Sequence, residues 1–204
     1  MRSILTRWHQ KVPIGSRSVL YGAHCFFIHP WFVAIAWWKL YGFPWDPRLW
    51  VAFFIHDLGY WGKPNMDRPE GETHPRWAAR VMGQWFGGKW ALFVLLHSRF
   101  LCQYLNCRFS RLCVADKLAV ALEPWWLYLP RVWATGEYKE YMSLAQQRDP
   151  SGASDVKYAS MNINTETSLK WHQSMTDYLR VWAYEHIHDA WLFARDIPLP
   201  PKED

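Results

Sequence analysis

Clean alternation of apolar and polar residues, the mark of a half-buried strand, is rare along these 204 residues, which argues against a fold built on sheets. Cysteine is scarce as well. Cys25, Cys102, Cys107 and Cys113 form no CxxC pair and are scattered among apolar neighbours, so they read as reduced core thiols of a cytoplasmic protein. No run of like charge, internal repeat or low-complexity tract is present. With 23 basic against 18 acidic residues, the net charge of +5 falls short of a nucleic-acid-binding tail and favours a small anionic ligand.

What the chain does have is apolar mass. At 50% hydrophobic residues it holds enough for one core, so a single domain over residues 1–204 is expected. Sixteen tryptophans imply a core and grooves built from large flat rings. Residues 18–38 carry no Asp, Glu, Lys or Arg and follow Arg2, Arg7, Lys11 and Arg17, a pattern long enough to span a bilayer. His24, His29 and Pro30 near its middle argue instead for buried helices, so no membrane partner is expected.

Elsewhere apolar residues recur three and four apart, which predicts helices and an all-α fold, a helical bundle with a C-terminal covering helix. Asp46-Pro47 reads as the cap and first position of a helix through PRLWVAFFIHD, stopped by Gly59. Thr73-His74-Pro75 opens a second, ended at Gly87-Gly88. KWALFVLLHSR forms a third, and Ser110 caps a fourth, RLCVADKLAVAL. Residues 146–165 have no period and contain Pro150 and Gly152, predicting a loop before a last helix over 166–195.

Six polar residues fall at helix ends or in apolar surroundings: His29, His56, Asp57, His74, His97 and Asp116. An unpartnered carboxylate is costly to bury, so the pair His56-Asp57 in FFIHDLGYWGKP needs a cation or an ion-pair partner. Imidazoles and carboxylates together suit Fe or Mn, with Zn, Mg, Co or Ni as other occupants, and an aspartate can bridge two ions. Each histidine alone is more often a core residue than a ligand; the six together shift the balance to metal.

The order His29, His56-Asp57, His74, His97, Asp116 resembles the HD-domain superfamily of metal-dependent phosphohydrolases in its two-metal form. FFIHDLGYWGKP is similar to the LLHDIGK signature, HPRWAARVM to the HPxxGAxIL helix of HD-GYP phosphodiesterases, and VADKLAVALEP to the closing segment of bacterial diadenosine-tetraphosphate hydrolases. The likeness covers residues 20–125. It implies two divalent metal ions, one held by His29, His56, Asp57 and Asp116 and one by His74 and His97, with Asp57 bridging. It also implies a small phosphorylated substrate, such as a nucleotide, attacked by a hydroxide between the metals.

Departures from the family limit what carries over. Tyr60 stands where many members have a lysine, so the phosphate contact falls to Lys63, Arg68, Arg99 or Lys117, with Trp61 as a stacking residue. Arg99 and Lys117 follow ligands closely and are assigned to the catalytic set with Asp57; an outward, solvated charge is the other reading of each. The segment after His97 lacks the GYP tripeptide, which argues against cyclic-di-GMP chemistry. His24, five residues before His29, competes for the first ligand position or supports it from behind. His9, His172, His186 and His188 read as surface residues. Some HD-fold di-iron oxygenases share the same ligand order, and a non-catalytic binding or membrane-associated module is a third reading. Oligomeric state is not legible.

Overall fold

The computed structural model describes residues 12–146 and 163–191, and within them the fold is all-helical. The helices are α1 (Ile14–Tyr21), α2 (His29–Tyr41), α3 (Pro47–Ile55), α4 (Pro75–Phe86), α5 (Gly88–Leu95), α6 (Arg99–Tyr104), α7 (Arg111–Leu122), α8 (Trp125–Thr135), α9 (Glu137–Gln146) and α10 (Ser168–Glu185). Two 3-10 turns, Leu58–Tyr60 and Gly71–Thr73, link α3 to α4.

Local chemistry sets most boundaries. Asp46 accepts a hydrogen bond from Arg48 N at 2.9 Å and Pro47 opens α3, where the missing proline N–H costs nothing. Gly87, at φ 88°, takes the left-handed conformation that ends α4 and starts α5. The predicted cap at Ser110 differs: the residue is at the N-cap position but its side chain makes no cap bond. Trp191 takes over, its carbonyl accepting from Arg111 N at 2.9 Å in an isolated bridge beside Ser110. The same return of the chain explains why α10 ends at Glu185, short of the expected 195. After His186 the backbone turns back towards α7. Residues 147–162 of the expected loop, and 192–195, lie outside the described residues.

The core forms around α7, packed between α2 and α10. Eight of its residues are buried, among them Asp116, so this helix is apolar nearly all round and carries one carboxylate into the interior. Phe53, Met82, Phe93 and Leu118 fill the space between α3, α4, α5 and α7. The 18–38 stretch resolves into α1, a turn and α2, and no described helix is long and apolar enough to cross a membrane. The tryptophan excess was expected in the core and grooves, yet much of it is outside: Trp31, Trp38, Trp45 and Trp126 are all more than half exposed. Trp31, Trp38 and Trp126 lie on outward faces of α2 and α8, and Trp45 in the link between α2 and α3.

Candidate metal centre

Five helices deliver six side chains to one point. His29 is the first residue of α2, His56 and Asp57 follow the end of α3, His74 precedes α4, His97 follows α5, and Asp116 comes from the middle of α7. All six are buried. Gly59 makes the assembly possible: a Cβ there would lie 1.9 Å from the His74 carbonyl oxygen, so only glycine lets the turn after Asp57 pass against the His74 backbone.

The carboxylate of Asp57 divides the cluster. Its Oδ2 is 3.0 Å from His56 Nε2 and 3.4 Å from His29 Nε2, while Asp116 Oδ1 is 2.9 Å from His29 Nε2 and 3.6 Å from His56 Nε2. Its Oδ1 faces the other way, 3.4 Å from His74 Nε2 and 3.5 Å from His97 Nε2. The donors form two groups, His29–His56–Asp57–Asp116 and Asp57–His74–His97, each with ligand atoms within 4.8 Å of one another.

Proton accounting tests whether cations fit. The Nδ1–H groups of His56, His74 and His97 donate to the carbonyls of Phe53, Gly71 and Val94 at 2.9, 2.9 and 2.6 Å, which turns each Nε2 into the cluster and leaves it a bare lone pair wherever the ring is neutral. His74 Nε2 and His97 Nε2 then face each other at 3.0 Å, two acceptors with no donor between. His56 Nε2 and Asp57 Oδ2 are likewise buried without a hydrogen-bond partner. A positive charge resolves all of these contacts at once, and mixed N/O donors suit Fe, Mn or Zn. The residues present fit metal ions; neither identity nor number follows from geometry alone.

Electrostatics agree. Burial opposes the charged form of His56, but Asp57 and Asp116 outweigh it and raise the imidazole to about 10. Burial and then His97 push His74 well below the usual imidazole value. Burial also opposes ionisation of Asp57 and Asp116, yet His56 and His24 hold the first, and Lys117 and His29 the second, well below the carboxylate range. The metal-free cluster is thus two carboxylates attracting one proton that a cation can replace.

The other predicted residues divide into two sets. Arg99, Lys117, Tyr60 and His24 line a cavity that opens on the cluster. Lys117 Nζ is 2.8 Å from Asp116 Oδ2, and Arg99 donates to Tyr178 Oη at 3.2 Å with its guanidinium over the Trp182 ring. Tyr60 stacks on His74, centroids 3.8 Å apart. Trp61, Lys63 and Arg68 do not line the cavity: Trp61 and Arg68 are exposed, and Lys63 donates to Thr73 Oγ1 at 2.6 Å, pinning the turn before His74. The loop holding them folds back on its own backbone and on Glu140, which accepts from Met66 N and Asp67 N.

His24 sits beside the cluster and belongs to neither donor group. Its Nδ1–H donates to Ser18 Oγ at 2.9 Å, and Ser18 donates to Glu137 Oε1 at 2.6 Å. Glu137, fully buried, also accepts from Thr135 Oγ1 and Ala23 N. Sequence reasoning missed Glu137 because an acid opening a helix after Gly136 is ordinary there. It also missed Glu72, buried on the cavity wall, although its place two residues before His74 was a signal. His172 was expected on the surface and is buried, 5.3 Å from the Tyr128 ring; α10 turns that face onto α8. His186 is half-buried against Trp182, His188 is exposed, and His9 lies outside the described residues. Comparison with protein-family models, curated proteins and solved structures finds no match, so the functional reading rests on the chemistry of this centre alone.

Proposed function

We propose that the chain is a metal-dependent phosphohydrolase that cleaves a small phosphoester. The observation that carries this reading is the division of Asp57 between two buried donor groups, with the Nε2 atoms of His56, His74 and His97 turned inward because their Nδ1–H groups are held by backbone carbonyls. Bound cations would supply Lewis acidity, activating water near neutral pH and offsetting charge on the phosphoryl oxygens.

The chain's own residues do the rest. Asp57, His29, His56 and Asp116 would hold one ion and His74 and His97, with Asp57, the other. Backbone carbonyls orient three of the imidazoles, so little reorganisation is required when charge develops. Lys117 and Arg99, on the cavity wall, are placed to bind the phosphate dianion. Tyr60, stacked on His74, walls that side of the cavity. Hydrolysis breaks the P–O bond of the ester; water supplies a hydroxyl to phosphorus and a proton to the departing alkoxide, giving an alcohol and inorganic phosphate.

The test is metal loading followed by phosphate release. Chelator-treated protein given Mn2+ or Fe2+ should release inorganic phosphate from phosphoesters, and Asp57→Ala should not. Metal-loaded wild type that releases no phosphate from any ester, or that consumes oxygen instead, overturns the assignment.

A further inference from the structure

The cavity beside the metal centre has two chemically different ends. At one are the ligands with Lys117, Arg99 and His24. At the other stand Val120, Tyr128, Tyr141, Ile163, Trp171 and Met175, which pack as one apolar cluster. Trp171 lies parallel to Tyr141, with centroids 6.0 Å apart and planes at 15°, so flat ring faces make up the wall. Five of these six residues sit within α7, α8, α9 and α10, where backbone N–H and C=O groups are largely committed to the helix. The Tyr141 hydroxyl is engaged by Glu137 Oε1 at 3.3 Å. Among the described residues the cavity lining includes no Asn or Gln.

Resting on the hydrolase reading above, we infer that the organic part of the preferred ester is an alkyl or aryl group, and that this aromatic end is its binding subsite. A nucleobase placed there would leave its hydrogen-bonding edge in contact with apolar walls, losing water without replacement. Phosphate at the cationic end and a hydrocarbon group against Trp171 and Met175 match the polarity of the two ends. The subsite is unlike the metal centre in that it needs no charge; it selects by apolar burial.

The experiment measures kcat/KM for phosphate release by Mn2+-loaded protein from methyl, butyl and hexyl phosphate, phenyl phosphate, ribose 5-phosphate and AMP. Specificity should rise by up to about fourfold per methylene and level off once the cavity is full, phenyl phosphate should exceed ribose 5-phosphate, and AMP should trail hexyl phosphate at least tenfold. Met175→Gln, on the half-buried side of the wall, should lower the ratio of hexyl to methyl phosphate specificity about tenfold, mainly through KM, and Trp171→Ala should act in the same direction if it folds. Preference for AMP, or a specificity independent of chain length, overturns the inference and leaves the hydrolase reading standing. No phosphate release from any ester overturns both.

Discussion

At the scale of single residues, the six ligands and the nearby cations have different tasks, and substitution should separate them. On the proposed reading, His56→Ala, Asp57→Ala and Asp116→Ala would remove groups that hold the ions acting on the transition state, so turnover should fall by at least about a thousandfold. Lys117→Ala and Arg99→Ala would, on the same reading, remove phosphate contacts shared by ground and transition states, so KM should rise with a smaller change in kcat. Steady-state kinetics on folded variants decides this, and near-normal turnover in Asp57→Ala would contradict the assignment. The His24–Ser18–Glu137 chain predicts a different response. Glu137→Ala leaves buried donors on Ser18, Thr135 and Ala23 unmatched and should cost about 1–3 kcal/mol in denaturant unfolding. The ligand residues were legible in the sequence because histidines and aspartates in apolar runs are rare. Glu137, at an ordinary helix start, was not.

At the scale of elements, the centre depends on helix ends meeting at fixed distances. Gly59→Ala tests this, since its methyl group would press on the His74 carbonyl and push the turn after Asp57 away from α4. Stability should fall by about 1–3 kcal/mol, and metal affinity should fall with it because Asp57 and His74 separate. Unfolding curves and a metal titration on the variant check both. Phe53→Ala, in the last turn of α3, should cost about 3–5 kcal/mol through the cavity it leaves. Helices with strong punctuation were readable: Asp46-Pro47 and Gly87-Gly88 appear where the local chemistry places them. The end of α10 was not, because it is set by Trp191 pairing with the first residue of α7, a contact between residues 80 apart in sequence that no local signal encodes. Trp61, Lys63 and Arg68 were singled out by nearness in sequence to ligands, yet their loop is tied to Glu140 and Thr73 and turns them off the cavity.

At the scale of the whole molecule, metal binding and folding are one equilibrium, because the six donors converge only in the folded state. Without metal, His56 is raised to about 10 against an unfolded value near 6.5. Its proton therefore contributes stability that is fully present below about pH 6.5 and is lost as pH rises through about 10. His74, lowered by burial and His97, works the other way and costs stability as pH falls below about 6.5. Chelated protein should lose thermal stability between pH 7 and 9, whereas a cation in place of the proton should abolish that decline and, at about a hundredfold over its Kd, add about 2.7 kcal/mol. Melting temperatures across pH, with and without Mn2+, test the sign. The all-helical class was readable at this scale from periodicity. The surface position of so many tryptophans was not, since residue type alone does not say which face a helix turns outward.

The central claim is that Asp57 joins two cation sites, and the most direct measurement is an equilibrium titration of chelator-treated protein with Mn2+, read by elemental analysis alongside proton release. Two ions per chain and release of protons near pH 8 are expected for the wild type, with both sites weakened together in Asp57→Ala. Absence of bound metal at saturation, or an Asp57→Ala variant that still binds two ions with unchanged affinity, would contradict it.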